Sequence, residues 1–217
     1  MIKVSAFPWV PPFAQGLVRD LRVRWALEEA GLPYEARLLT REEKTSAGYR
    51  ALQPFGQVPS YEADGLAMFE SGAIVLHIAE RSDALMPSDP AGRARATTWI
   101  FAALNSVEPR VQQLAEIDLF HGAADWAKAR RPQVEEALMA RLGDLAAWLG
   151  EREHLEGRFT AGDLMMTTVL RILRYADILA RLPTLDAYRR RCEARPAFAR
   201  ALAAQMAPFA QNAPVAA

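Results

Sequence analysis

"QPFGQVPSYEADGLAMFESGAI", residues 53–74, puts a Val-Pro dipeptide, an Asp-Gly pair and an acid-hydroxyl pair into little more than one hairpin's length. "VPSYEA" and "LAMF" are short, apolar and β-prone, so both predict strands. Asp64-Gly65 between them predicts a tight turn, because both residues tolerate the positive φ that two-residue hairpin loops require. The period then changes. "SGAIVLHIAERS" (71–82) predicts a helix, with Ile74, Ile78 and, further on, Leu85 toward a sheet. Glu70-Ser71 therefore stands at the mouth of that helix.

Upstream, "IKVSAF" (2–7) predicts a buried strand, followed by the Pro-rich loop "PWVPPFAQG". From Leu17 the apolar residues fall at Leu17, Leu21 and Trp25, a helical spacing with charges on the opposite face. Gly31 and Pro33 stop this helix. "YEARLL" (34–39) predicts a second strand, parallel to the first because a crossover of that length favours it. Residues 41–52 are polar and predict a short, irregular helix. The first 83 residues thus order as β-α-β-α-β-β-α.

Downstream, "MPSDP" (86–90) is rich in turn residues, and strand signals vanish beyond it. Helical period predicts helices near 90–120, 131–151, 161–180, 184–194 and 196–206. The tail "APFAQNAPVAA" (207–217) has no period and predicts loose chain. The change of composition marks two domains, 1–83 (α/β) and 90–217 (an all-α helical bundle). Within the second, "FTAGDL" places Thr160 at an N-cap with Asp163 three residues on, a carboxylate variant of the capping box. Phe159 and Leu164 flank it as a hydrophobic staple.

The 217 residues are 51% apolar, enough for one large core or two modest ones. Formal charge is zero, so no electrostatic footprint for nucleic acid or an acidic membrane surface is expected. No apolar run approaches the ~18 residues of a membrane span. Prolines interrupt the N-terminus before a signal-peptide core could form. The single cysteine, Cys192, has no internal disulfide partner, and a reducing cytoplasm is the expected setting. His77, His121 and His154 show no metal-ligand spacing, so no metal is expected.

Taken together, these segments resemble the cytosolic glutathione transferase family over nearly the whole chain. "QPFGQVP" is similar to the family's approach to its third strand, and "FESGAI" to its fourth-strand-to-helix junction. "LRVRWALEEAGLPYE" is similar to its first helix, and "FTAGDL" to the cap of its buried central helix. The resemblance implies a thioredoxin-like first domain, a helical second domain, and glutathione as co-substrate without a metal. It also implies a two-fold homodimer and a cis bond at Val58-Pro59. Such a bond turns the Val58 N–H and C=O outward, to pair with a peptide ligand as an added strand would. Glutathione carries an α-carboxylate and an α-amine on its γ-glutamyl group. Ser71, at a helix start, suits the carboxylate, and Glu70 suits the ammonium. Gln57 adds a side-chain contact, and Lys44 lies near where the family holds the glycyl carboxylate. The implied glutathione site is Lys44, Gln57, Val58, Pro59, Glu70 and Ser71.

The sequence departs from the family in the loop after strand one. Glutathione transferases usually place a Tyr, Ser or Cys there to activate the glutathione thiol, yet "PWVPPFAQGLVRD" (8–20) contains no Tyr, Ser, Thr or Cys. A free thiol has a pKa near ~8.5, leaving roughly 3% thiolate at pH 7. Lowering it to about 6.5 requires about 2.7 kcal/mol. A helix N-terminus contributes ~0.3–1 kcal/mol, or up to ~2 when partly buried. A hydrogen bond to the charged sulfur adds ~1.5–3 kcal/mol, so a donor is needed. The loop offers amides around Phe13 to Leu17, the Gln15 amide group, the Trp9 indole N–H and the Arg19 guanidinium. Gln15 and Arg19 are the catalytic candidates.

The leading expectation is attack of the thiolate on a small hydrophobic electrophile. The second substrate is expected between the domains, against Trp9 and Phe13 and the early part of the 90–120 helix, with Trp99 and Phe101 contributing. Two alternatives keep the fold. One is glutathione-dependent reduction of disulfides or peroxides, and the other is a non-catalytic interaction module.

Overall fold

The computed structural model describes residues 1–214. The chain divides into two compact units, one of Met1–Met86 with Arg195 onward and the other of Pro87–Ala194. The first is built on a four-stranded sheet of β1 (Ile2–Ala6), β2 (Tyr34–Leu38), β3 (Ser60–Ala63) and β4 (Leu66–Phe69), in the order β2-β1-β3-β4. β1 runs parallel to β2, with Val4 opposite Ala36, and antiparallel to β3, with Val4 opposite Tyr61. Asp64 (φ 50°) and Gly65 (φ 81°) make the β3–β4 turn with both residues at positive φ, as the hairpin reading requires.

Between the strands lie α1 (Asp20–Ala30), α2 (Arg41–Thr45) and α3 (Ala47–Leu52), and α4 (Ser71–Ala79) follows β4. Two local expectations shift. α1 starts at Asp20 rather than Leu17, because a 3-10 turn at Pro12–Ala14 and Gly16 at φ 74° precede it. The polar 41–52 stretch is two helices, the first opened by a Thr40–Glu43 capping box and the second by Ser46, whose hydroxyl accepts the Tyr49 amide.

A larger correction concerns the charged side of α1. Asp20, Arg22 and Arg24 are only 1%, 3% and 2% exposed. Arg22 meets Ser71 of α4, whereas Asp20 and Arg24 are covered by the last helix, α10, at Pro196–Gln211. Gln205 donates to Asp20 Oδ1 at 2.6 Å, and Arg24 Nε donates to Asp20 Oδ2 at 2.7 Å. Burial pushes the Asp20 carboxyl up, while Arg24 and Gln205 pull it down. Arg195 forks onto Glu29 at 2.6 and 2.8 Å, and Trp25 meets Phe198 edge-on at 4.8 Å. α10 therefore belongs with the first unit, not with the 90–217 domain that composition suggests. It also continues through Pro208 to Gln211, so residues 207–211 are helical rather than loose. The tail expectation for residues 215–217 lies outside the described residues.

The second unit is helical. α5 (Pro90–Phe101) passes through a π-helical stretch, Ala102–Val107, into α6 (Glu108–Glu116), and a second π-helical stretch spans Ile117–His121. Pro109 has no N–H to donate at the start of α6, which accounts for the change of winding just before it. α7 (Asp125–Leu149) begins six residues before the expected 131 and carries Pro132 inside. α8 (Ala161–Leu170) gives way to 3-10 turns before 180, and α9 spans Pro183–Glu193.

α8 is buried at every position, which its apolar composition foretells. Its capping box is present: Thr160 Oγ1 accepts the Gly162 amide at 3.2 Å, and Asp163 Oδ2 accepts the Thr160 amide at 2.9 Å. Phe159 and Leu164 are both buried. Thr160→Ala is expected to destabilise the protein by about 1–2 kcal/mol in urea unfolding; an unchanged midpoint would contradict the cap's role.

On the surface of this unit Asp118, Arg131, Glu135 and Arg181 form one ion-paired chain. Arg131 forks onto Asp118 at 2.7 and 3.0 Å, and both Arg131 and Arg181 donate to Glu135. Hydrogen bonds from Arg181 and then Arg131 hold the Glu135 carboxyl below its ordinary value of 4.5. A carboxylate depressed in the folded state stabilises above its unfolded pKa and loses that contribution as pH falls through the folded one. Thermal melts from pH 6 downward should therefore lose stability below about pH 4.5 in the native protein. Glu135→Gln should flatten that acid limb.

Candidate functional site

The site is set by the hairpin register. Ser60 pairs with Phe69, so the segment entering β3 lies alongside the segment leaving β4. Val58-Pro59 and Glu70-Ser71, eleven residues apart in sequence, thus become neighbours. The Val58-Pro59 bond is cis, as the resemblance implies, and both residues are buried.

A hydrogen-bonded chain fixes the approach to β3. The Ser60 amide donates to Ser5 Oγ at 2.6 Å, Ser5 Oγ meets Tyr49 Oη at 2.8 Å, and Tyr49 Oη donates to the Gln57 carbonyl at 2.6 Å. One bond direction satisfies every member, because each hydroxyl accepts from the one before and donates to the next. Gln53 Oε1 accepts the Gln57 amide at 3.0 Å. Gln57 and Ser60 are thereby anchored on either side of Val58-Pro59. Sequence reasoning missed Ser5 and Tyr49; the only local sign was an aromatic residue in the short helix before β3.

On the other side, Glu70 is exposed and sits at φ 69°, ψ 111°, directly before α4. Positive φ at a glutamate costs of order 1–3 kcal/mol and persists where its surroundings impose it, a condition concentrated at ligand sites. Ser71 is 4% exposed, and its Oγ accepts from Arg22 Nη1 at 3.3 Å. The sequence shows Arg22 only as one of the charges opposite the apolar stripe of α1. It brings a buried cation to the start of α4, beside the positive end of that helix's dipole.

Lys44 is half-buried on α2, with Nζ 5.6 Å from the centre of the Phe7 ring. Gly56 (φ 62°) joins it to the β3 approach, since a Cβ there would stand 3.3 Å from the Lys44 carbonyl oxygen. The Gln57 side chain is exposed.

The loop after β1 is less open to a ligand than its sequence suggests. The amides of Ala14, Gln15 and Leu17 close turns onto the carbonyls of Pro11, Pro12 and Ala14. Gln15 Nε2 donates to the Val10 carbonyl at 3.0 Å. Arg19 is exposed immediately before α1. Trp9 is half-buried and Phe13 is 48% exposed.

In the helical unit the two aromatic candidates separate. Trp99 is half-buried and tied within the unit, donating to Glu156 at 2.8 Å and standing 5.5 Å from the Trp148 ring. Phe101 is 53% exposed. Cys192 is fully buried. Among the described residues no group of three or more His, Cys, Asp or Glu could hold a metal ion, and no helix is long and apolar enough to cross a membrane.

Residues 21–86 match the family described as "Glutathione S-transferase, N-terminal domain". The chain is 30% identical over 194 residues to a maleylacetoacetate isomerase from Rhizobium meliloti, covering 83% of this chain and 89% of that one. It is 31% identical over 200 residues to glutathione S-transferase 3 from Zea mays, covering 85% and 88%. Among solved structures it resembles a glutathione transferase from Burkholderia graminis, determined with two glutathione molecules bound per subunit. That likeness has a TM-score of 0.80 at 25% identity, over 93% of this chain and 87% of that one. The chain belongs to the glutathione transferase family.

Proposed function

We propose that the protein binds glutathione along β3 and the start of α4 and presents its thiolate to a small hydrophobic electrophile. The observation that carries this reading is the register that sets Val58-Pro59 beside Glu70-Ser71, with Arg22 behind the serine. The cysteinyl backbone pairs with Val58, the γ-glutamyl carboxylate with Ser71 and the α4 amides, and the ammonium with Glu70. Lys44 and Gln57 meet the glycyl end. The Burkholderia relative's bound glutathione supports the ligand. The thiol releases its proton to solvent, its sulfur bonds to the electrophilic carbon, and the leaving group departs with the electron pair.

Stabilisation of the thiolate falls to the loop of residues 8–20. Three of its amides and Gln15 Nε2 already serve the loop itself, which weighs against Gln15 as the donor. The Trp9 indole N–H, on the segment leaving β1, is the better donor of those the loop offers, and Arg19 remains a candidate. The test is an ultraviolet titration of the bound thiol in the wild type, Trp9→Phe, Gln15→Ala and Arg19→Ala. Trp9→Phe should raise the thiol pKa by about 1–2 units, the worth of one hydrogen bond to a charged sulfur. If no variant moves it, only backbone stabilisation survives.

The absence of a side-chain hydroxyl or thiol from this loop favours one second reading, glutathione-dependent reduction of disulfides or peroxides. Rates with a chloronitrobenzene, a mixed disulfide and an organic peroxide decide between them. Calorimetry without heat on adding glutathione would favour the non-catalytic module. By analogy with the family the working unit is a homodimer, which sedimentation velocity checks.

A further inference from the structure

The first unit holds a second opening, on the opposite side of α1 from the Arg22–Ser71 contact. It is a cleft of about 570 Å³ formed by the C-terminal half of α1, the turn into β2, β2 itself and α10. Its polar wall is Arg24 and Tyr34. Arg24 is 2% exposed, and its guanidinium is fixed at two points, through Nε to Asp20 at 2.7 Å and through Nη1 to the Ala204 carbonyl at 3.2 Å. That leaves Nη2 buried without an acceptor in full hydrogen-bond geometry, and the buried Tyr34 hydroxyl has the Arg24 guanidinium as its neighbour and no acceptor for its own proton. The two groups share one space, since the Arg24 guanidinium carbon stands 5.9 Å from the centre of the Tyr34 ring. Buried donors in folded proteins are almost always satisfied, and here two lie side by side along one cleft with no acceptor beyond each other.

We infer that this cleft is a ligand site for a small organic carboxylate with an apolar body. One carboxylate oxygen accepts from Arg24 Nη2 and the other from Tyr34 Oη, while the body lies against Leu27, Leu32, Ala36 and Ala204. An anion fits better than a neutral acceptor because a guanidinium and a phenol both donate, and hydrogen bonds to a charged acceptor are the stronger kind. Burial raises the Tyr34 pKa, which keeps the phenol protonated as a donor at neutral pH. Glu28, the anionic residue of the lining, is held by Arg200 at 2.7 Å. With Arg24 paired to Asp20 and Arg200 to Glu28, the cleft adds no net positive charge. Affinity should therefore be modest, near millimolar, and selective for shape and acceptor geometry. The proposal is independent of the glutathione reading, because none of these residues belongs to that site.

The test is a ¹H–¹⁵N titration of the full-length protein with sodium benzoate, with benzamide as the uncharged isostere. Support is a saturable shift confined to amides of residues 27–36 and 200–204, with Kd around 1 mM. Benzamide should bind at least about tenfold more weakly. Tyr34→Phe, which keeps the ring and removes the donor, should weaken benzoate about tenfold. Ala204→Leu, which narrows the cleft without touching a donor, should weaken it independently, so loss of one variant to misfolding leaves the other. Unshifted melting temperatures report an intact fold. Shifts mapping instead to residues 57–71, equal binding of benzamide, or full affinity in a folded Tyr34→Phe variant would each overturn the inference. So would a crystal structure in which ordered water bridges Arg24 and Tyr34 and is not displaced by benzoate.

Discussion

Ser71→Ala is expected to weaken glutathione binding by about 10- to 100-fold in calorimetry, with the fold retained. The expectation rests on the direction of one hydrogen bond. Ser71 Oγ accepts from Arg22 Nη1, so its own proton is turned away from Arg22 and is available to a ligand carboxylate. Losing one hydrogen bond to a charged group costs about 1.5–3 kcal/mol, which is the fold-change given. Ser71→Thr keeps the hydroxyl and should recover most of the affinity. An affinity within threefold of wild type for Ser71→Ala would remove Ser71 from the site and with it the proposed placement of the γ-glutamyl group.

The second large effect is on stability. Asp163→Ala is expected to destabilise the protein by about 3–5 kcal/mol, or to prevent folding at growth temperature. The carboxylate does far more than close a capping box. Oδ1 accepts from the Leu155 amide and the Tyr188 hydroxyl, each at 2.9 Å, and Oδ2 accepts from the Thr160 amide at 2.9 Å and its hydroxyl at 3.1 Å. Asp163, Thr160 and Tyr188 are fully buried. Alanine would strand these donors without water, at about 1–3 kcal/mol for each buried group left unsatisfied. Burial pushes the Asp163 carboxyl up, and hydrogen bonds from the Leu155 and Thr160 amides and the Tyr188 hydroxyl oppose that push. The midpoint of thermal unfolding should fall by roughly 10 °C for a chain of this size. A loss of about 1 kcal/mol, no larger than for Thr160→Ala, would mean that the wider network contributes nothing.

These two residues were legible to different degrees. Asp163 was found from spacing, since a capping box is written in four consecutive residues, but its bonds to Leu155 and Tyr188 were not. Glu70-Ser71 was marked by its place between a strand and a helix, whereas Arg22 was not singled out among the charges opposite the apolar stripe, because local periodicity shows a face and not what covers it. Ser5 was invisible as a positioning residue for the same reason, since its partners Tyr49 and Ser60 are 44 and 55 positions away, and Tyr49 gains its role through Ser5. Trp99, offered to a substrate by the sequence, has a hydrogen bond to Glu156 and a ring contact with Trp148 that no local pattern announces.

The order of strands and helices, the turn at Asp64-Gly65, the cap of α8 and the resemblance to glutathione transferases were settled by the sequence alone, because each depends on residues within a few positions of one another. The pairing of β3 with β4 extended that local information to the proposed glutathione site. What only the tertiary structure decided was the return of α10 onto α1. A helix sixteen residues long carries no local record of which surface it will cover. Yet that contact buries Asp20 and Arg24 and forms one wall of the cleft beside Arg24 and Tyr34. Burial of a charge depends on the partners that the whole chain brings to it, and those partners lie about 180 residues away.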